Sequence, residues 1–336
     1  MLGGWVATAR VQGPAATVFA QTVEPSCPTR EAFRATTSSV LSAAQKWQEN
    51  KMILSIASGK GGTGKTLVAT SLALSLGKQV QILDCDVEEP NVHLLLRPTI
   101  VQSKPVCIPV PIVDKAKCNY CGKCAQVCAY KAIAVLPETV LVFPELCHGC
   151  GACSYLCPEK AISEEGRQMG VVETGYCGEI DFVHGRLNIG EAMATPVIRE
   201  VKRHIDPTKT VIIDVSPGTS CPVVEAVRGS DFCLLVTEPT PFGLHDLSLA
   251  VDTVKAVGIP CGIVLNRAGS AYSKVEEYCL EVDIPLLMRI PLDMEIARLY
   301  SRGVTLVQGM PEWRGKFLEL FRNIKQALAV NKRVRT

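Results

Sequence analysis

Two sets of residues in this sequence have types and spacings that could do chemistry. The first is Gly59-Lys60-Gly61-Gly62-Thr63-Gly64-Lys65-Thr66, which matches the eight-position phosphate-binding loop. Its glycines let backbone N–H groups converge on phosphate oxygens, Lys65 reaches the outer phosphates, and the Thr66 hydroxyl can ligate magnesium. A purely structural glycine turn would need neither Lys65 nor Thr66. The second set is Cys118, Cys121, Cys124 and Cys128, spaced C-x2-C-x2-C-x3-C and repeated 29 residues later as Cys147, Cys150, Cys153 and Cys157. Gly122 and Gly151, then Lys131-Ala132-Ile133 and Lys160-Ala161-Ile162, repeat at the same offset, so the segment is an internal duplication. Three close thiolates wrap one corner of an iron–sulfur cluster. Structural zinc more often joins separated two-cysteine knuckles, whereas these runs are uninterrupted.

The loop sits between an apolar strand over 52–57 and a helix over 66–76, followed by a strand over 79–83: the opening of a β-α-β series with strands buried in a parallel sheet. The alternation stops near Arg97, the cysteine block runs to about Glu165, and strands resume over 210–215, 232–236, 262–265 and 286–290. The cysteine block therefore reads as an insertion, 98–165, in a domain made of 52–97 and 166–330. Between the two, a hairpin is expected around 183–189 and a helix over 191–203. Candidate ligands stand at strand ends, where an open α/β sheet places its site. They are Asp84 and Asp86 after the second strand, Asp214 closing Val211-Ile212-Ile213-Asp214, and Asn266 with Arg267 after a later strand. Ordinary capping is the competing reading for Asp84, Asp86 and Asn266.

With 336 residues, 47% of them hydrophobic, the chain can bury a real core, and a net charge of +2 gives no overall pull toward nucleic acid or an anionic surface. No apolar run is long enough to cross a bilayer, so a cytoplasmic location is expected. Sixteen cysteines in such a setting point to metal or redox use over disulfides. Residues 1–51 show no period and read as a disordered extension or a mis-assigned start. An apolar helical stripe over 313–330 suits core packing better than a membrane-lying helix.

Lys60, early in the loop, makes the sequence resemble the MinD/ParA/nitrogenase-iron-protein family, and the cysteine block resembles a bacterial two-cluster ferredoxin. The first resemblance implies an α/β, mostly parallel P-loop ATPase, with Lys60 reaching across an ATP-dependent homodimer to the partner's nucleotide. It implies that residues 59–66 bind Mg-ATP, that Asp86 orients or activates the attacking water, and that Asp84 and Asp214 join Thr66 around Mg2+. It also puts Asn266 near the adenine. The second resemblance implies an inserted α+β domain with two 4Fe–4S clusters. One would be held by Cys118, Cys121, Cys124 and Cys157, the other by Cys147, Cys150, Cys153 and Cys128. Pro158 follows Cys157 as the ferredoxin pattern expects, but Ala129 replaces the proline after Cys128, which predicts a looser turn and a more labile second cluster. Cys221 lies at the offset after Asp214 where nitrogenase iron proteins carry a bridging ligand, with Cys177 the only guess for a second one.

Together these imply an ATPase that couples dimerisation to electron transfer or cluster handling on a redox or apo-metalloprotein partner. Two alternatives stay open: an iron–sulfur or metallocluster assembly or carrier ATPase, and a positioning ATPase with structural clusters.

Overall fold

The computed structural model describes residues 51–269 and 272–334. The extension expected over 1–51 lies, save Lys51, outside them. The chain opens with β1 (Ile53–Ala57), α1 (Lys65–Leu76), β2 (Val80–Cys85) and the short α2 (Val92–Leu96). A long strand, β3 (Thr99–Val113), leads out to a small unit of α3 (Lys123–Val127), the hairpin β4 (Ile133–Leu136) and β5 (Thr139–Val142), and α4 (Ala152–Tyr155). Its counterpart β6 (Ile162–Cys177) leads back to β7 (Ile180–Leu187), α5 (Thr195–Arg203), β8 (Thr210–Val215) and α6 (Cys221–Val227). There follow β9 (Phe232–Thr237), α7 (Pro241–Val257), β10 (Cys261–Ala268), α8 (Lys274–Glu281) and β11 (Leu286–Pro291). Three helices close the fold: α9 (Met294–Ser301), α10 (Leu306–Gly309) and α11 (Trp313–Val334).

One nine-stranded sheet runs β11-β10-β9-β1-β8-β2-β7-β6-β3. From β11 to β7 every pairing is parallel, while β6 and β3 are antiparallel. The parallel strands are mostly apolar because helices cover both faces. Alternation then splits the core in two. Ile82, Ile212 and Leu234 face α1 and α11, whereas Leu83, Ile213 and Leu235 face α5, α6, α7 and α8. On α11, Trp313, Phe317, Leu320 and Ile324 form a buried helical stripe that packs in the core with Leu72 and Ala73 of α1, as the core-packing expectation has it.

The sequence expectation differs from the structure at the edges of the cysteine block. Residues 99–113 and 162–177, most of the arms of the expected insertion and its return, are strands of the main sheet, paired from Thr99↔Tyr176 to Val113↔Ile162. The hairpin falls between β6 and β7, with Gly178 in the left-handed conformation at its turn, rather than around 183–189. The helix expected over 191–203 begins at Thr195. β7 pairs with β6 only from Gly170 onward, so residues 162–169 pair with β3 alone and form a two-stranded ribbon that carries the small unit. The unit's neck is closed by Asp114 N–H donating to Ala161 O at 2.7 Å.

Gly185 of β7 marks the tightest packing between sheet and helix. A Cβ there would lie 2.7 Å from Cγ1 of both Val197 and Val87 and 2.9 Å from Cγ2 of Val201. Gly185→Ala should therefore overpack this junction and destabilise the fold by about 1–3 kcal/mol. Urea unfolding checks this, and an unchanged midpoint would show that α5 can shift away without loss.

Candidate functional site

The phosphate loop links β1 to α1. Gly59 is required by close approach, since a Cβ there would sit 2.0 Å from the Asp246 carbonyl oxygen of α7. Gly62 and Gly64 take positive φ, and no side chain caps the N-terminus of α1. Its free N–H groups and the helix dipole are thus left for an anion. Lys65 and Thr63 are buried, and the Thr63 hydroxyl has no partner. Thr66 Oγ1 donates to Asp214 Oδ2 at 2.7 Å, while the buried Asp214 Oδ1 is left without a partner. A hydroxyl beside an unanswered carboxylate oxygen fits a hard cation such as Mg2+.

The register explains why these groups meet. Asp214 of β8, Asp84 of β2, His184 of β7 and Glu173 of β6 are successive lateral partners across the sheet. They form one polar rung on the face covered by α1 and α2. Burial above all raises the proton affinity of Asp214, with Lys65 and the Thr66 hydroxyl opposing. Asp84 is likewise raised by burial and then by Asp214. His184 Nε2 lies 2.7 Å from Glu173 Oε2, and its ring is 5.4 Å from that of His93 on α2.

Two of the expected site residues also brace the backbone around the loop. Asp84 accepts the Asp86 N–H at 3.1 Å and the N–H groups of Asn91 and Val92 at 3.0 Å each, so both its oxygens cap the turn into α2. Asn266 Nδ2 donates to the Thr63 carbonyl at 2.8 Å and its Oδ1 accepts the Arg267 N–H at 2.9 Å, so it ties the end of β10 to the loop. A Cβ on Gly64 would strike that amide at 2.4 Å.

Asp86 stays available. It is partly buried, and burial raises its proton affinity against the pull of Lys65, with Glu89 and Glu88 adding to the rise. A carboxylate of raised proton affinity beside Lys65 suits a group that holds and activates water. Lys60 is ion-paired with Glu238 of its own chain, and Glu238 also accepts from Arg267 Nη1 at 2.7 Å. Arg267 Nη2 in turn donates to the Gly62 carbonyl at 3.2 Å. A trans role for Lys60 requires that ion pair to open. The sequence reading missed Glu238 as well as the His184–Glu173 pair. Glu238 directly follows β9, and an acid at a parallel strand's carboxyl end was the signal available.

The cysteines form two further sites. Cys118, Cys121, Cys124 and Cys157 line one cavity, and Cys128, Cys147, Cys150 and Cys153 line another. The duplication is repeated in backbone detail. Tyr120 and Gly149 N–H groups donate to Cys118 and Cys147 Sγ at 3.4 Å each. Ala132 and Ala161 N–H groups donate to Cys128 and Cys157 Sγ at 3.2 and 3.3 Å. Ala129 does not loosen its turn: Lys131 and Lys160 take matching left-handed φ of 56° and 50°, and each donates to the carbonyl of its cysteine at 3.2 Å. Among the described residues no three His, Cys, Asp or Glu side chains converge as a single metal ion would require. Cys221 is exposed at the start of α6, while Cys177 donates to the Leu96 carbonyl at 3.0 Å. No described helix is long and apolar enough to cross a membrane.

Comparison with known proteins bears on this geometry. The chain is 31% identical to an uncharacterized protein of Methanocaldococcus jannaschii over 82% of its own length and 97% of the relative's. It is 24% identical to the iron–sulfur cluster carrier protein of the same organism, over 84% and 88% of the two chains. Among solved structures it resembles the septum site-determining protein MinD with Mg-ADP from Pyrococcus horikoshii, at 22% identity and a TM-score of 0.51, covering 81% of this chain and 94% of that one. That likeness is one of fold. The CobQ/CobB/MinD/ParA nucleotide binding domain matches residues 54–307, which makes this chain a member of that family and a nucleotide-binding P-loop ATPase of the MinD/ParA type.

Proposed function

We propose that the chain is a Mg2+-dependent ATPase carrying two 4Fe–4S clusters, in which ATP-driven homodimerisation is coupled to electron transfer or cluster handling on a redox or apo-metalloprotein partner. The observation that carries the cluster half is the crossing of the fourth cysteines. Each cavity draws three thiols from one run and its fourth from the other, the ligation pattern of two-cluster ferredoxins. Uninterrupted four-cysteine runs suit a four-iron cubane better than structural zinc, which more often joins separated two-cysteine knuckles. Cys118, Cys121, Cys124 and Cys157 would hold one cluster, and Cys147, Cys150, Cys153 and Cys128 the other. When bound, such clusters supply one-electron chemistry. The ferredoxin-like unit would be the part of 98–165 that rides on the ribbon, within an ATPase domain made of 52–97 and 166–330.

The chain's own residues do the rest. The loop amides of 59–66 bind and orient the phosphates, Lys65 neutralises the outer ones, and Thr66 with Asp214 holds Mg2+. Asp86 positions the attacking water and takes its proton. Lys60 leaves Glu238 and crosses to the partner's nucleotide as the dimer closes, where its charge stabilises the transferring phosphoryl group. Coupling is supported by the polar rung. It runs from Asp214 beside Thr66, through Asp84, which caps α2, to His184 and Glu173 on β6, the strand that carries the cysteine unit. A carrier reading is favoured by the likeness to the Methanocaldococcus iron–sulfur cluster carrier protein and by the exposure of Cys121 and Cys150.

The deciding experiment is anaerobic purification with iron and sulfide analysis, then EPR of the reduced protein with and without Mg-ATP. About eight irons per chain are expected. A spectrum that moves with ATP supports coupling, whereas an indifferent one leaves cluster transfer to an apo-protein as the assay, and zinc in place of iron defeats the reading. Lys65→Ala should abolish nucleotide binding. Asp86→Ala should bind ATP, stay a closed dimer and lose at least roughly a hundredfold in turnover; turnover equal to wild type would remove Asp86 from its role. Replacing Cys121 and Cys150 together by Ser should remove the iron and leave the thermal unfolding of the ATPase domain in place, and collapse of the whole chain would make the unit integral to the fold.

A further inference from the structure

The two cysteine cavities differ at their mouths. The duplication makes Asn119 equivalent to His148, each following the first cysteine of its run, and Glu159 equivalent to Tyr130, each two residues after the last. Both pairs close over a cavity, by different chemistry. At the first cavity Asn119 Nδ2 donates to Glu159 Oε1 at 3.0 Å, in a pair exposed to water. At the second, the rings of Tyr130 and His148, likewise exposed at the surface, stack with centroids 3.5 Å apart and planes within 8°.

The depth of the cavities differs in the same sense. Each quartet has one exposed member, Cys121 or Cys150, but Cys147 and Cys153 of the second are buried, whereas no member of the first is. Pro109 and Pro111 of β3 back the second cavity. There Gly149 lies so close that a Cβ would come within 3.0 Å of the Pro109 ring. One charged side chain also lines the second cavity, Glu164, which accepts from Ser154 at 2.5 Å; Lys123 and Glu159 line the first. Because the backbone donors to sulfur match in the two halves, depth and lid are what separate the sites.

We infer that Tyr130 and His148 form an aromatic lid that shields the iron–sulfur centre held by Cys128, Cys147, Cys150 and Cys153. The centre held by Cys118, Cys121, Cys124 and Cys157 exchanges with solvent past its Asn119–Glu159 pair and is the one released first. A hydrogen-bonded lid at the surface can swap its partner for water, and each swap opens a path to the sulfurs. Two stacked rings offer no such exchange and must separate before a reagent passes. This reverses the order of lability that Ala129 predicts from sequence, and it rests on the iron–sulfur reading above.

The test is iron release from the anaerobic full-length holoprotein to bathophenanthroline disulfonate, followed by absorbance. The expected result is two phases of about four irons each, with rates separated by roughly tenfold or more, the scale on which outer contacts act at metal sites. Tyr130→Ala combined with His148→Ala should speed only the slow phase, while Tyr130→Phe, which keeps a stacking ring, should leave it slow. In the reverse transplant, Asn119→His with Glu159→Tyr should slow the fast phase, an outcome that misfolding cannot imitate. The Cys121→Ser protein should retain only slowly released iron. A single phase, or a slow phase untouched by loss of both rings, overturns the lid. A preparation without iron, or holding zinc, overturns the iron–sulfur reading itself.

Discussion

The register of four adjacent strands sets Asp214, Asp84, His184 and Glu173 in one row, and the nucleotide half of the molecule is arranged around answering those charges. Neighbouring carboxylates out of water raise each other's proton affinity and destabilise the fold unless partners are fixed for them. Thr66 and Lys65 answer Asp214, which draws the start of α1 against β8. Three backbone amides answer Asp84, which sets the turn carrying Asp86 and starts α2. Glu173 answers His184 and ties β7 to β6. Moving one member of the row would therefore disturb the loop, the turn and the edge of the sheet together.

That row also gives meaning to where the cysteine unit enters the chain. β3 leaves directly after α2, whose first turn hangs from Asp84, and the return strand β6 contributes Glu173 to the row. The unit is thus joined at both ends to elements that contribute to the row or hang from it. An insertion at a loop on the opposite end of the sheet would have no such connection.

Much of this was readable beforehand because the motifs are local. A loop of eight residues and two runs of four cysteines fix much of their own geometry, and each cavity is lined by three cysteines of one run and the fourth of the other. What sequence does not display are partners that are distant or belong to the backbone. Asp84 and Asn266 were legible as site residues, but what they bind is a set of turn amides and a loop carbonyl that no spacing displays. β6 reads as loop because Gly166, Gly170 and Gly175 interrupt it, and β3 because Pro105, Pro109 and Pro111 do. Prolines are tolerated there because β3 is the sheet's edge, where the outward N–H groups have no strand to bond. Glycines are needed in β6 because a Cβ on Gly170 or Gly175 would strike the backbone of the neighbouring strand at 2.3 or 2.1 Å.

The ribbon of residues 162–169 with β3 has a mechanical corollary. At about 3.3 Å per residue it extends roughly 25 Å, so a rotation of about 10° at its root sweeps the far end through about 4 Å. A pair of strands with no third neighbour has little to resist such twisting, and the register shift between Val106 and Cys107 places an irregularity close to the root. The ribbon is a lever arm with its fulcrum at the last strand of the parallel sheet. The buried Val106, Ile108 and Met169 anchor its root in the core, and the cysteine unit sits at its far end.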